Sequence, residues 1–174
     1  MGNEFVILVD EKDQQLGLME KMKAHQEALL HRAFSVFLFN SDGRLLIQQR
    51  ALSKYHSPGL WTNTCCSHPR DGESVMMAAN RRLYEEMGMK ATLVEIFWFI
   101  YKADVGQGLT ENELDHVLIG YTDEQPVINT DEVHDWKYAG MDEIAADMLQ
   151  HPDQYTVWFR IIFNRVHEYL RNQQ

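Results

Sequence analysis

Cysteine, positive charge and long apolar runs are all scarce in this chain. The two cysteines, Cys65 and Cys66, are neighbours, and adjacent residues almost never bridge, so no disulfide framework holds the fold. One of them is a candidate working thiol. Lysine and arginine total 16 against 26 aspartates and glutamates, a formal net charge of -10, and such a surface repels a polyanion at moderate salt. Nucleic acid is therefore a poor partner, while a local basic pocket stays open. No stretch approaches the roughly 18 apolar residues that a membrane span needs. The first ten residues have an apolar core of Phe5 to Val9 only, and acidic Glu4 stands where a secretory signal would place lysines. The expectation is a soluble, cytoplasmic protein with no membrane partner.

What the chain does have is enough apolar material for a sizeable core: 174 residues, 45% hydrophobic and 11% aromatic, which fit one domain over 1–174. Alternating β-rich segments run over Phe5 to Val9, Ala33 to Phe39, Leu45 to Gln49, Leu93 to Tyr101, Val117 to Tyr121 and Val133 to Ala139. Asn40-Ser41-Asp42-Gly43 reads as a hairpin turn, because Asp-Gly tolerates positive φ. From Ser74 to Met87 the period becomes helical, with Gly88 placed to end the helix. Met141 to Leu149 and Val157 to Leu170 are two further helices, the last with a stripe of Trp158, Ile161, Ile162, Val166 and Leu170. Gly106-Gln107-Gly108 and Thr122 to Gln125 read as loops. The fold class is α/β (α+β): a mixed β-sheet flanked by helices, one of them acidic at its end.

His25, His31, His68, Glu111 and Glu113 come from three separate segments, and together they would make a mixed nitrogen and oxygen site for a zinc-, manganese- or magnesium-like ion. Glu111 and Glu113 alternate at the start of a strand, which puts both carboxylates on one face about 7 Å apart. A solvated strand edge is the plainer reading of that pair. His116, His134 and His151 read as surface or packing histidines. Cys66, flanked by Asn63 and His68, sits where a polar loop and a metal could stabilise a thiolate, although a small buried hydrophobe is the ordinary role of such a cysteine. Lys21, Arg50, Lys54 and Arg82 are the cations that could attract a diphosphate. Tyr101 and Trp158 default to core, with a second use for Trp158 if a cation must be sheltered from water.

Residues 67 to 89 resemble the Nudix box, Gly-x5-Glu-x7-Arg-Glu-apolar-x-Glu-Glu-x-Gly-apolar, with Glu73, Arg81, Leu83, Glu85, Glu86, Gly88 and Met89 in register. Ser67 replaces the opening glycine. Arg82 replaces the glutamate after Arg81, so a carboxylate that helps a hydrolase collect divalent metals has become a cation. This points to a Nudix-like scaffold turned to chemistry other than diphosphate hydrolysis.

Arg50-Ala51-Leu52-Ser53-Lys54, Pro58-Gly59-Leu60-Trp61-Thr62-Asn63, Cys66-Ser67-His68-Pro69 and Glu111-Asn112-Glu113, in this order, resemble the type 1 isopentenyl diphosphate isomerases. The likeness runs from Lys21 through Trp158. It implies one divalent ion (manganese, magnesium or zinc) on His25, His31, His68, Glu111 and Glu113, and a magnesium ion on Glu86 that accompanies the substrate diphosphate. Lys21, Arg50, Lys54 and Arg82 would contact that diphosphate, so the partner is a small isoprenoid diphosphate. The family usually has Cys-Gly-His where this chain has Cys66-Ser67-His68.

The implied reaction is a 1,3 proton shift between isopentenyl and dimethylallyl diphosphate in isoprenoid biosynthesis. Glu113, assisted by Tyr101, would protonate the alkene, Cys66 would remove a proton on the opposite face, and Trp158 would shelter the tertiary carbocation. Excluding water requires a closed apolar pocket beneath a basic mouth. A nucleotide-cleaving Nudix hydrolase and a non-catalytic Nudix-like binding module are the competing readings. The first would need a glutamate at position 82, and the second leaves Cys66 and the histidines without work.

Overall fold

The computed structural model describes residues 4–173. A nine-stranded sheet is assembled around strand β3, His31–Phe39. Before it come β1 (Phe5–Val9), β2 (Gln15–Glu20) and the short helix α1 (Lys21–Gln26). After it come β4 (Leu45–Arg50), β5 (Trp61–Thr62), β6 (Cys65–Ser67) and helix α2 (Val75–Met87). The chain continues through β7 (Val94–Gly106), β8 (Leu109–Tyr121), β9 (Val133–Ala139), α3 (Met141–Gln150), a 3-10 turn at Pro152–Gln154 and α4 (Val157–Asn172).

Strand β3 runs parallel to β8, with His31 opposite Glu113, and antiparallel to β6, with Ser35 opposite Cys66. Because side chains alternate at period 2, the odd positions of β3 and β8 share one face of the sheet and the even positions the other. Two core clusters follow from that split. Phe37, Phe39, Val117 and Ile119 pack with Trp158, Phe159, Ile162, Phe163 and Val166 of α4, whereas Phe34, Val36, Leu38 and Leu118 pack with Ala78, Ala79, Leu83 and Met87 of α2. The α4 stripe thus contains Phe159 and Phe163, absent from the expected set, while Ile161 and Leu170 are only half-buried. The adjacent cysteines divide the same way, Cys65 into the α2 cluster and Cys66 against the α4 cluster, and both are free thiols.

The expected elements are present, and several are longer or accompanied by others. Residues 40–43 turn as the Asp-Gly pair predicts, with Asn40 Oδ1 accepting from the backbone of Asp42 and Arg44 and Gly43 at φ 72°. The Gly106–Gly108 segment is the tip of a long β7–β8 hairpin, so β7 extends beyond Tyr101 and β8 begins eight residues before Val117. The inward acidic residues Glu111, Glu113 and Asp115 separated the strand start expected at Glu111 from the apolar run at Val117, since a strand facing a polar site does not show the apolar alternation of a strand facing a core. Helix α2 is capped by the Ser74 hydroxyl, which accepts from the Met77 backbone N–H, and ends at Gly88 with φ 63°. Only glycine fits there: a Cβ would lie 2.6 Å from the Val127 carbonyl oxygen. Among the described residues, no helix is long and apolar enough to cross a membrane.

Candidate active site and metal centre

The β3–β8 register brings the proposed ligands together. His31 begins β3 opposite Glu113, Glu111 lies two residues earlier on the same face of β8, His68 follows β6, and His25 comes from α1. One donor atom from each of His25, His31, His68, Glu111 and Glu113 falls within 4.8 Å of all the others. His25 Nε2 lies 3.1 Å from Glu111 Oε2, and His68 Nε2 lies 3.0 Å from Glu113 Oε1 and 3.2 Å from His31 Nε2.

This donor set fits a divalent cation. The Nδ1 atoms of His25 and His31 face the carbonyls of Lys21 and Leu29 at 2.6 and 2.8 Å, which fixes their protons there and leaves the inward Nε2 lone pairs free. Two imidazole nitrogens pointed at each other beside two buried carboxylates are a poor packing arrangement without a cation between them. Burial, reinforced by the neighbouring His31, holds His68 well below its ordinary range and so neutral, as a ligand must be. At His25 burial opposes the charge but the Glu111 carboxylate outweighs it and raises the value, so a proton competes with a metal there.

Tyr101 pairs with Glu113 across β7 and β8, and its hydroxyl donates to Glu113 Oε2 at 2.7 Å. Burial and the adjacent carboxylates raise the phenol well above its usual value, so it keeps its proton. Burial pushes Glu113 upward as well, but its neighbours His31, Glu111 and Tyr101 together prevail and hold it low, as a carboxylate. Cys66 is opposite in sign: burial raises the thiol and outweighs the lowering by Arg50, while Glu86 and Glu113 add to the rise.

Cys66, Tyr101, Glu111, Glu113 and Trp158 line one cavity of about 70 Å³ with Lys21, Arg50, Lys54, Arg82 and Glu86. The cavity is more polar than the expected apolar pocket, since Cys66, Tyr101 and Trp158 supply its apolar wall while Gln48, His56, Thr62 and Glu132 also face it. Its cations are paired: Lys21 with Glu4 at 2.7 Å, Lys54 with Glu132, and Arg82 with Glu86 at 2.6 Å and Glu85 at 2.8 Å. Gln48 donates to the other oxygen of Glu86 at 2.9 Å. The Arg50 guanidinium lies 5.2 Å from the Trp158 ring centre. Four buried side-chain donors lack a partner among the described residues, and three of them, Arg50 Nε, Arg82 Nε and Trp158 Nε1, belong to residues of this cavity. Buried donors are normally satisfied, so these three point to an anionic, acceptor-rich ligand.

Arg81 ties the loop to α2 by two bonds to Glu73, at 2.7 and 2.9 Å. Ser67 adopts ordinary strand geometry opposite Phe34 and is not among the positive-φ residues, so the departure from glycine carries no strain. Sequence reasoning missed His56, Glu132, Gln48 and Asp115. The period-2 run Glu111, Glu113, Asp115 could have disclosed the last, which is buried and accepts from Ser35 Oγ at 2.9 Å.

A curated protein of Pectobacterium atrosepticum named isopentenyl-diphosphate Delta-isomerase is 51% identical over 94% of this chain and 92% of its own length. A Serratia proteamaculans protein of the same name is 49% identical over 92% of this chain and 89% of its own. The chain belongs to the isopentenyl-diphosphate Delta-isomerase family. That family lies on the Nudix fold: the NUDIX domain model matches residues 29–159. Solved structures agree on the fold, among them DR0079 from Deinococcus radiodurans (TM-score 0.79, 19% identity, 93% of this chain and 98% of that one) and a MutT protein from Methanosarcina mazei (TM-score 0.67, 16% identity, 83% and 96%). In this isomerase-family chain, α2 keeps the Glu73–Arg81 tie of the Nudix box and turns Arg82 toward the cavity, where Glu86 meets it.

Proposed function

We propose that the protein interconverts isopentenyl and dimethylallyl diphosphate by moving protons between two groups of the cavity, Cys66 and the Glu113–Tyr101 pair. The observation that carries the reading is the composition of this cavity: a thiol, a hydrogen-bonded carboxylate and phenol, a tryptophan face and four cations open onto the same space. The diphosphate would displace the acidic partners of Lys21, Lys54 and Arg82 and meet the unpartnered Arg50 and Arg82 donors, anchoring the substrate so that its hydrocarbon end lies against Trp158.

In the forward direction the Glu113–Tyr101 pair gives a proton to the terminal alkene carbon, which leaves a tertiary cation. Cys66 takes a proton from the carbon next to the diphosphate-bearing one, and the electron pair of that C–H bond forms the new double bond. One turnover therefore ends with a protonated thiol and an ionised Glu113. Burial and hydrogen bonding favour that same proton inventory in the resting site, which is equally the starting state for the reverse reaction. The Trp158 ring screens the cation from water, whose attack would yield an alcohol.

His25, His31, His68, Glu111 and Glu113 would hold one divalent ion, manganese, magnesium or zinc, and Glu86 would hold the magnesium that accompanies the diphosphate. Such ions supply charge neutralisation and a fixed orientation for the carboxylates. Conversion of isopentenyl to dimethylallyl diphosphate by the metal-replete protein, followed by proton NMR, is the test. Absence of conversion, with phosphate release from a nucleotide panel instead, would favour a hydrolase.

A further inference from the structure

His56 stands against the ligand group without belonging to it. It is buried midway along the loop between β4 and β5, with its ring edge-on to Tyr55 at 4.4 Å and to Trp158 at 5.6 Å. The backbone is fixed as well: Arg50 Nη2 donates to the His56 carbonyl at 3.2 Å, and Ser57 next to it adopts φ 49°. So clamped, the imidazole has one direction to point. Nδ1 lies 3.3 Å from Ser57 Oγ, and Nε2 lies 3.4 Å from Glu111 Oε1. With the serine hydroxyl donating to Nδ1, the ring proton sits on Nε2, on the side of the ring nearest that carboxylate.

Glu111 is therefore held at both ends of its carboxylate, His25 Nε2 facing Oε2 at 3.1 Å and His56 Nε2 facing Oε1. A glutamate side chain has three rotatable bonds, and a carboxylate touched on one oxygen only can swing away from the group it serves. Partners of this kind, which touch a ligand and not the ion, fix ligand orientation. Glu111 Oε1 is also the acidic oxygen that His56 Nε2 meets in the cavity wall, so turning Glu111 away would remove that electrostatic contact.

We propose that His56 is a positioning residue for the metal centre, which orients Glu111 toward His25, His31, His68 and Glu113. The inference rests on the reading of those five residues as metal ligands. At 3.4 Å the contact is longer than an ordinary N–H···O bond, so its effect belongs at the lower end of the range for such partners.

The test is Mn²⁺ titration into chelator-stripped protein, with free Mn²⁺ followed by electron paramagnetic resonance, on wild type, His56→Leu, His56→Gln and His56→Asn. Leucine keeps the volume and removes the donor, glutamine carries an amide N–H to nearly the place of Nε2, and asparagine stops short of Glu111. The dissociation constant is expected to rise about 10-fold in the leucine and asparagine variants and to stay within about threefold of wild type in the glutamine variant. The asparagine and glutamine pair retains the contrast if the leucine variant does not fold. Equal shifts in glutamine and asparagine variants, or no shift in asparagine, would overturn the role of His56. Failure of wild type to bind one Mn²⁺ would instead remove the metal reading itself.

Discussion

Arg82 marks the departure from hydrolase chemistry at the scale of the single residue. It occupies a glutamate position of the Nudix box, yet it lies half-buried between Glu85, Glu86 and Glu132 with one buried donor atom unpaired. Lys54 shares Glu132 with it, so one carboxylate lies between the two cations. Lys54→Ala should raise KM for isopentenyl diphosphate by about 10-fold with a smaller change in kcat, since it removes one charge-assisted contact remote from the reacting carbons. Steady-state kinetics check it, and a fall in kcat at unchanged KM would place Lys54 in the chemistry. Glu73 offers a second prediction. The Arg81 hydrogen bonds lower its pKa from 4.5, with burial opposing. A depressed carboxylate contributes stability that is present above the unfolded value and lost as pH falls through the folded one. Urea midpoints should therefore drop below about pH 4.5 more steeply in wild type than in Glu73→Gln; parallel profiles would show that the tie adds nothing. Residue roles of this kind were legible where a motif named them: the His25, His31, His68, Glu111 and Glu113 set was read from the chain and meets in space. His56 was not, because a lone histidine in a loop carries no periodicity. Only the fold brings it beside Glu111.

Elements were legible in proportion to how fully one face meets a core. Helix α2, with its serine cap, apolar period and terminal glycine, was read to within a residue. Strand β8 was read in two pieces, a strand start at Glu111 and Glu113 and an apolar run over Val117 to Tyr121, because its first half faces the site with Glu111, Glu113 and Asp115. Strand β2 escaped altogether, since Leu16 and Leu18 are exposed and its neighbour Gly17 supplies no side chain, and six-residue α1 is too short for a helical period to register. The end of α2 gives a prediction at this scale. Gly88→Ala forces a Cβ against the Val127 carbonyl in a left-handed backbone, which should cost about 1–3 kcal/mol. Chemical denaturation measures it, and an unchanged midpoint would mean that the 127–129 segment, which bonds back to Met87 and Glu86, yields without cost.

The whole molecule opens a polar cavity between its sheet, Trp158 of α4 and the Arg82–Glu86 pair of α2, and packs the rest of both helices against the two faces. The parallel β3–β8 pair does most of this, because it sets His31 beside Glu113 while Tyr101 arrives from β7 and Cys66 from β6. No local sequence pattern encodes such a four-strand meeting; the resemblance supplied it, and the register explains it. The cavity is also more polar than carbocation chemistry suggested. Stripping the metal should abolish isomerisation and restoring it should recover activity without refolding, since His25, His31, Glu111 and Glu113 are buried in place. Circular dichroism and a turnover assay together check this.

Conversion of isopentenyl diphosphate in heavy water, followed by NMR at equal metal content, tests the proton exchange between Cys66 and Glu113 most directly. Wild type should place deuterium in the new methyl group of dimethylallyl diphosphate, and Cys66→Ala and Glu113→Gln should each slow conversion by about 10²–10⁴-fold. Either variant converting substrate at a rate near that of wild type would contradict the account.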